Sequence, residues 1–192
     1  MTNTGDLAIL RATSGARGPN PMSTASDVAK RIADQLASCE VKLVASLPDN
    51  WISELIRTLD SDARFAHVPV NREESAVALC SGAYMGAMGS AALMGASGLM
   101  TVIYAITKIN YTYEIPLFLL TSLRGAVGDH HKHHVSNGLY LLPVLDAISL
   151  PYVIVDQPDE IGMISQTYNH WRNYSRPSVV ALTRNLLRGG AH

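Results

Sequence analysis

Apolar positions along the chain follow two alternating periods. Val28, Ile32 and Leu36 recur at every fourth residue and predict a first helix with one apolar stripe, for which Ser23 and Thr24 are suitable N-caps. Beyond it, short apolar runs over 41–47, 65–70, 91–95, 117–122, 152–155 and 178–183 predict strands. The run at 91–95 has no β-branched residue and rests on its place in the alternation. Helical patterns over 51–59, 73–86, 99–110, 139–149 and 160–171 separate these runs. Several strands are apolar almost throughout, as expected when helices cover both faces of a parallel sheet. The fold class predicted is therefore α/β, a three-layer parallel sheet with helices on both faces and right-handed crossovers.

Residues 1–22 contain Gly15, Gly18, Pro19 and Pro21 and predict a disordered leader, with Met22 an alternative start. Residues 23–192 then form one domain, in keeping with a length of 192. With 47% hydrophobic and 16% charged residues, a closed core is feasible. A net charge of -1 argues against a nucleic-acid binder, which needs a basic patch or stripe. Cys39 and Cys80 make neither a disulfide framework nor a zinc quartet and fit a reducing compartment. The first twenty residues lack an apolar stretch of about 7–15 residues, and the apolar segment 90–106 is interrupted by Gly95, Ser97, Gly98 and Thr101. The expectation is a cytoplasmic protein that does not enter a membrane.

In a parallel sheet of this kind, ligands bind beyond the carboxyl ends of the strands. The polar residues fall there: Pro48-Asp49-Asn50-Trp51 after the first strand, Asn71-Arg72-Glu73-Glu74 after the second, Ala96-Ser97-Gly98 after the third, and Arg124-Gly125 with a histidine cluster after the fourth. Glu73 opens a helix, where the dipole favours an acid. It and Glu74 are readable as ordinary first-turn acids. The following residues, from Ser75 to Gly86, are small and apolar nearly all round, which predicts a buried helix. A carboxylate opening a buried helix is partly withdrawn from water, which favours sharing its proton. His130, His131, His133 and His134 flank Lys132; clustered imidazoles shuttle protons or bind metal, or simply coat a surface loop. Their spacing matches no zinc signature, so no metal site is assigned. Asp49 is readable as an N-cap. Gly95-Ala96-Ser97-Gly98-Leu99 lacks the last glycine of a nucleophile elbow, and no G-x-G-x-x-G follows the first strand.

Taken together, Ala45-Ser46-Leu47-Pro48-Asp49-Asn50-Trp51, Val68-Pro69-Val70-Asn71-Arg72-Glu73-Glu74, Ser81-Gly82-Ala83-Tyr84 and the stretch from Tyr111 to Leu117 before Ser122-Leu123-Arg124-Gly125 resemble the α subunits of sulfopyruvate decarboxylases, with phosphonopyruvate decarboxylases as close relatives. The likeness runs from Val28 to Leu186. It implies a thiamine diphosphate (ThDP) pyrimidine-binding (PYR) domain. In ThDP enzymes a glutamate nine residues before the glycine of such a segment contacts the cofactor, and Glu73 and Gly82 have that separation. The resemblance makes Glu73 the carboxyl group that activates the aminopyrimidine of the cofactor for 2-oxo acid decarboxylation. It places Asp49 as an acid near the substrate, His130 and His131 as proton-transfer residues, and Ser97 and Gly98 beside the cofactor. Arg124, His133 and His134 fall where an anionic substrate group would bind.

The sequence also departs from the family. Sulfopyruvate decarboxylases usually read Gln-Asn-Ser-Gly-Leu-Gly-Asn after the third strand, and three amides are lost in Gly95-Ala96-Ser97-Gly98-Leu99-Met100-Thr101. The Gly-Asp-Gly motif of the diphosphate and Mg2+ half does not occur in this chain. What the resemblance implies is a hetero-oligomer. A β subunit with the diphosphate-binding (PP) domain would hold Mg2+ and the diphosphate, and the substrate would be a small anionic 2-oxo acid. The same chemistry run as carboligation, and a non-catalytic PYR-like subunit that stabilises a partner, are the alternatives.

Overall fold

Six parallel strands in the order β2-β1-β3-β4-β6-β5 form the middle layer of the computed structural model, which describes residues 23–188. The leader at 1–22 lies outside the described residues. The strands are β1 (Val41–Ser46), β2 (Ala66–Pro69), β3 (Gly89–Gly95), β4 (Phe118–Leu123), β5 (Tyr152–Val155) and β6 (Ser178–Thr183). All six coincide with the predicted runs to within two residues at either end.

Side-chain alternation along each strand divides the core in two. On one face, Val44, Leu93, Leu120 and Val180 pack against α1 (Ala25–Ser38), α2 (Ser53–Ser61), α7 (Met163–Asn173) and α8 (Arg184–Leu187). On the other, Ala45, Ala92, Met94 and Leu119 pack against α3 (Glu73–Met85), α4 (Ala96–Thr101) and α6 (Val135–Ala147). Burial on both faces explains why β3 needs no alternation: its first six residues are all buried. Helix α1 starts where predicted. Thr24 and Asp27 form a capping box, worth about 1 kcal/mol.

Two helices differ from expectation. The pattern at 99–110 predicted one helix, but the chain winds through α4, a single turn α5 (Ile103–Ala105) and a π-helix over Ile106–Tyr111. The π-helix carries Asn110, fully buried, whose Nδ2 donates to Ser81 Oγ at 3.0 Å and to the Ile115 carbonyl at 3.1 Å. Helix α3, expected to be buried all round, has one face on the sheet (Ala76, Val77, Cys80, Ser81) and the opposite face open, with Ala78 and Gly82 exposed and Met85 77% exposed.

The topology fixes where a ligand can enter. The chain leaves β1 through α2 on one face of the sheet and leaves β3 through α4 on the other. A crevice therefore opens between the carboxyl ends of these two neighbouring strands, the usual ligand position in open parallel sheets.

Candidate active site

At that crevice lies a pocket of about 160 Å3 lined by Leu47, Pro48, Asp49, Glu73, Gly95–Gly98, Arg124, His133 and His134. Segments following β1, β2, β3 and β4 each contribute. Seven of the nine residues singled out from the sequence meet here: Asp49, Glu73, Ser97, Gly98, Arg124, His133 and His134. His130 and His131 do not line the pocket and are exposed.

Glu73 opens α3, and its carboxyl group lies against the backbone of Gly98. A Cβ at position 98 would collide with Glu73 Oε1, with Cγ at 2.6 Å and with Cδ at 2.9 Å. Gly98 is thus the seat of the Glu73 side chain. Among the described residues, no hydrogen bond or ion pair engages the Glu73 carboxylate, which leaves both oxygens available at the pocket wall. Ser97 is tied instead to the buried Asn137 of α6, whose Nδ2 donates to Ser97 Oγ at 3.1 Å.

The opposite wall is a chain of charged and polar groups. Asp49 Oδ1 accepts from the Trp51 backbone N–H at 2.8 Å, closing a turn after β1, and so does not cap α2, whose N-cap is Ile52. Asp49 Oδ2 pairs with Arg124 Nη2, both side chains being nearly buried. Arg124 also meets His134 Nε2 through Nη1 and lies 5.0 Å from the centre of the Trp51 ring. His134, 3% exposed, faces Asp129 Oδ2 through Nδ1 at 2.7 Å. The exposed His133 ring packs edge-on against His134 at 4.2 Å between centroids.

The loop that carries these residues is fixed at several points. Gly125 adopts φ +78, and a side chain there would strike the His134 carbonyl and Gly138 of α6. Arg184 donates to the Gly128 carbonyl at 2.9 Å. Asp129 accepts the backbone N–H groups of Gly125 and His131 at 3.0 and 3.1 Å. Burial acts to raise the Asp129 carboxyl, but these N–H donors and the neighbouring histidines outweigh it and hold the group well below the usual carboxylate range.

Two other side-chain clusters and one thiol have the residue types of reactive sites. Asp129, His131 and His134 hold potential ligand atoms within 4.8 Å of one another. A metal on His134 Nδ1 would need that ring's proton on Nε2, directly against the Arg124 guanidinium. Asp60, His67 and Ser46 form a hydrogen-bonded row (Nδ1 to Asp60 2.8 Å, Nε2 to Ser46 2.7 Å), yet Ser46 is 2% exposed and does not line the strand-end pocket, so the row joins α2, β2 and β1 as a structural link. Burial pushes the Cys80 thiol up to about 11, which removes it as a nucleophile at neutral pH.

Trp51, Asp129 and Asn137 were not singled out from the sequence. Asp129 had a local signal, an aspartate two residues before His131 in a Gly-rich turn. Asn137 had none, because its partner lies forty residues away.

Comparison with proteins of known function gave consistent relatives. The chain is 32% identical over 139 residues to the sulfopyruvate decarboxylase subunit alpha of Methanococcus maripaludis, covering 72% of this chain and 81% of that one. It is 28% identical over 129 residues to the subunit alpha of Methanocaldococcus jannaschii, covering 67% and 76%. Phosphonopyruvate decarboxylase of Streptomyces viridochromogenes shares 28% identity over 129 residues, 66% of this chain and 32% of that one. Among solved structures, a 2-oxoglutarate:ferredoxin oxidoreductase from Magnetococcus marinus superposes with a TM-score of 0.65 at 13% identity, over 86% of this chain and 30% of that one, a likeness of fold. No family model matches the chain.

Proposed function

The chain belongs to the sulfopyruvate decarboxylase α-subunit family, and on that premise we propose that it is the PYR subunit of a ThDP-dependent 2-oxo acid decarboxylase in which Glu73 activates the cofactor. The observation that carries this reading is the Glu73 carboxylate, seated on Gly98 at the wall of a strand-end pocket and engaged by no other group among the described residues. A carboxyl group so placed is available to share a proton with a ring nitrogen.

The donor set fits an aminopyrimidine: one unengaged carboxyl group, the backbone of Gly95–Gly98, and apolar contact from Leu47 and Pro48. ThDP supplies an electron sink for loss of CO2 from a 2-oxo acid. Glu73 holds the proton at the pyrimidine side. Arg124 offers a planar, permanently charged fork to the anionic end of the substrate. Asp49 and His133 line the same pocket and would serve the proton that must be moved at the reacting carbon. On this reading His133 and His134, which line the pocket, take the place first given to His130 and His131, which do not.

Nothing in the pocket resembles a Mg2+ site of several oxygen ligands. The reading therefore includes a β subunit that brings Mg2+ and the diphosphate site. Relatives carry the name subunit alpha, and the open face of α3, which runs from Ala78 and Gly82 to the exposed Met85 at the end of the helix away from Glu73, supplies a surface for such a partner. No helix of the described residues is long and apolar enough to cross a membrane.

The test is an assay of CO2 release with ThDP, Mg2+ and the Gly-Asp-Gly-bearing partner chain, offering sulfopyruvate, phosphonopyruvate and pyruvate in turn. Release from an anionic 3-substituted substrate, in excess of that from pyruvate, is expected. CO2 release with a condensed 2-hydroxy-ketone-type product in place of free aldehyde would reassign the chain to carboligation, and no reaction would leave it a structural subunit.

A further inference from the structure

The histidine loop contains a buried acceptor that the proposed chemistry does not use. The Asp129 side chain is 3% exposed, and each of its oxygens takes one backbone N–H, from Gly125 and from His131. Oδ2 also faces His134 Nδ1 at 2.7 Å, while Oδ1 lies 3.2 Å from Nδ1 of the exposed His131. On its far side, the His134 ring meets Arg124 Nη1 through Nε2.

A guanidinium has five donors and no acceptor. His134 Nε2 must therefore present its lone pair to Arg124, and the ring proton must sit on Nδ1, where the Asp129 carboxylate receives it. Imidazoles free in water favour the opposite tautomer, with the proton on Nε2. The protein thus holds His134 in the minority form, as a neutral bridge between a fixed anion and a fixed cation. The row continues across the pocket from Asp129 through His134 and Arg124 to Asp49.

We propose that Asp129 is a positioning residue: it locks His134 as the Nδ1–H tautomer and, through that ring, aims the Arg124 guanidinium at Asp49 and at the anionic group of the substrate. Only the last step, delivery to a substrate, rests on the decarboxylase reading. With Nε2 engaged by Arg124, His134 has no proton to give to the pocket. That leaves His133, exposed and packed against it, as the histidine that moves one.

The test begins with ring-nitrogen NMR of the 15N-labelled full chain at pH 8, which needs no activity. His134 is expected with a protonated Nδ1 and a bare Nε2, while the exposed His130 shows the ordinary Nε2–H form. Asp129→Asn places amide hydrogens among these donors and should abolish the single tautomer at His134. A protonated Nε2 in the unaltered chain, or an unchanged tautomer in Asp129→Asn, overturns the proposal. If the variant fails to fold, the tautomer of the unaltered chain still decides.

A double-mutant cycle then separates positioning from general structure. Asp129→Asn should lower kcat/KM for decarboxylation roughly tenfold, a typical loss when the partner orienting a functional histidine is removed. In a His134→Gln background it should cost less than about twofold, because the ring through which it acts is gone. Equal losses in both backgrounds would overturn the proposal. If no chain releases CO2, the decarboxylase reading fails while the role of Asp129 stands or falls on the tautomer.

Discussion

Gly98 is the position where one methyl group separates stability from activity. Its missing side chain is filled by the Glu73 carboxyl group, the far end of a flexible side chain. Gly98→Ala should therefore fold with a melting temperature close to the unaltered chain while displacing Glu73, and activity with partner and cofactor should fall at least tenfold, the scale of a misplaced catalytic group. Unchanged turnover in Gly98→Ala would show that the Glu73 position does not matter. At this scale the sequence was informative for residues whose neighbours follow the same strand ends: Asp49, Glu73, Gly98 and Arg124 each stand in the segment that follows a strand. It was silent on pairings such as Ser97 with Asn137 and Trp51 with Arg124, because nothing local encodes a contact between distant segments. The histidine cluster shows the same limit, since four near-equivalent side chains on one loop divide into two at the pocket, one of them buried, and two outside it.

The loop between β4 and α6 is held by backbone against backbone. Gly125, with its positive φ, and Gly138 approach so closely that a Cβ on either would strike the other's main chain. A backbone neighbour cannot step aside as a side chain can. Gly138→Ala should therefore loosen the segment 124–134, seen as faster amide hydrogen exchange confined to that loop, with loss of activity. Exchange that stays unchanged in the loop would contradict the account of how His134 and Arg124 are held. Strand and helix identities were legible because their apolar periods are strong. Helix α3 read as buried because small residues lie on all its sides; in the single chain its outer face is open, the face proposed above for the partner. The single helix expected at 99–110 failed because the buried side chain of Asn110, bonded to Ser81 and Ile115, accompanies a π-helical winding that apolar periodicity does not register.

Across the molecule, charge and topology set the conditions of stability and assembly. Asp129 binds its proton less readily in the folded chain than in the unfolded one. Its contribution is fully present above the ordinary aspartate value near about 4 and is lost as pH falls through the lower, folded value. The melting temperature should decline on acidification below about pH 4, and Asp129→Asn should show a shallower decline from a lower start. Identical slopes for the two chains would contradict this. The strand order β2-β1-β3-β4-β6-β5 was not legible from the sequence, since alternation fixes the class of fold but not which strands pair. That order creates the crevice between β1 and β3, to which Glu73 and Arg124 are brought from either side.

The central claim, that Glu73 activates ThDP in this pocket, is tested most directly by exchange of the cofactor's C2 proton for deuterium, followed by NMR with Mg2+. The account predicts acceleration when the chain is mixed with its diphosphate-binding partner, little with the chain alone, and loss of the acceleration in a correctly assembled Glu73→Gln complex. Exchange that is equally fast in the Glu73→Gln complex would contradict it.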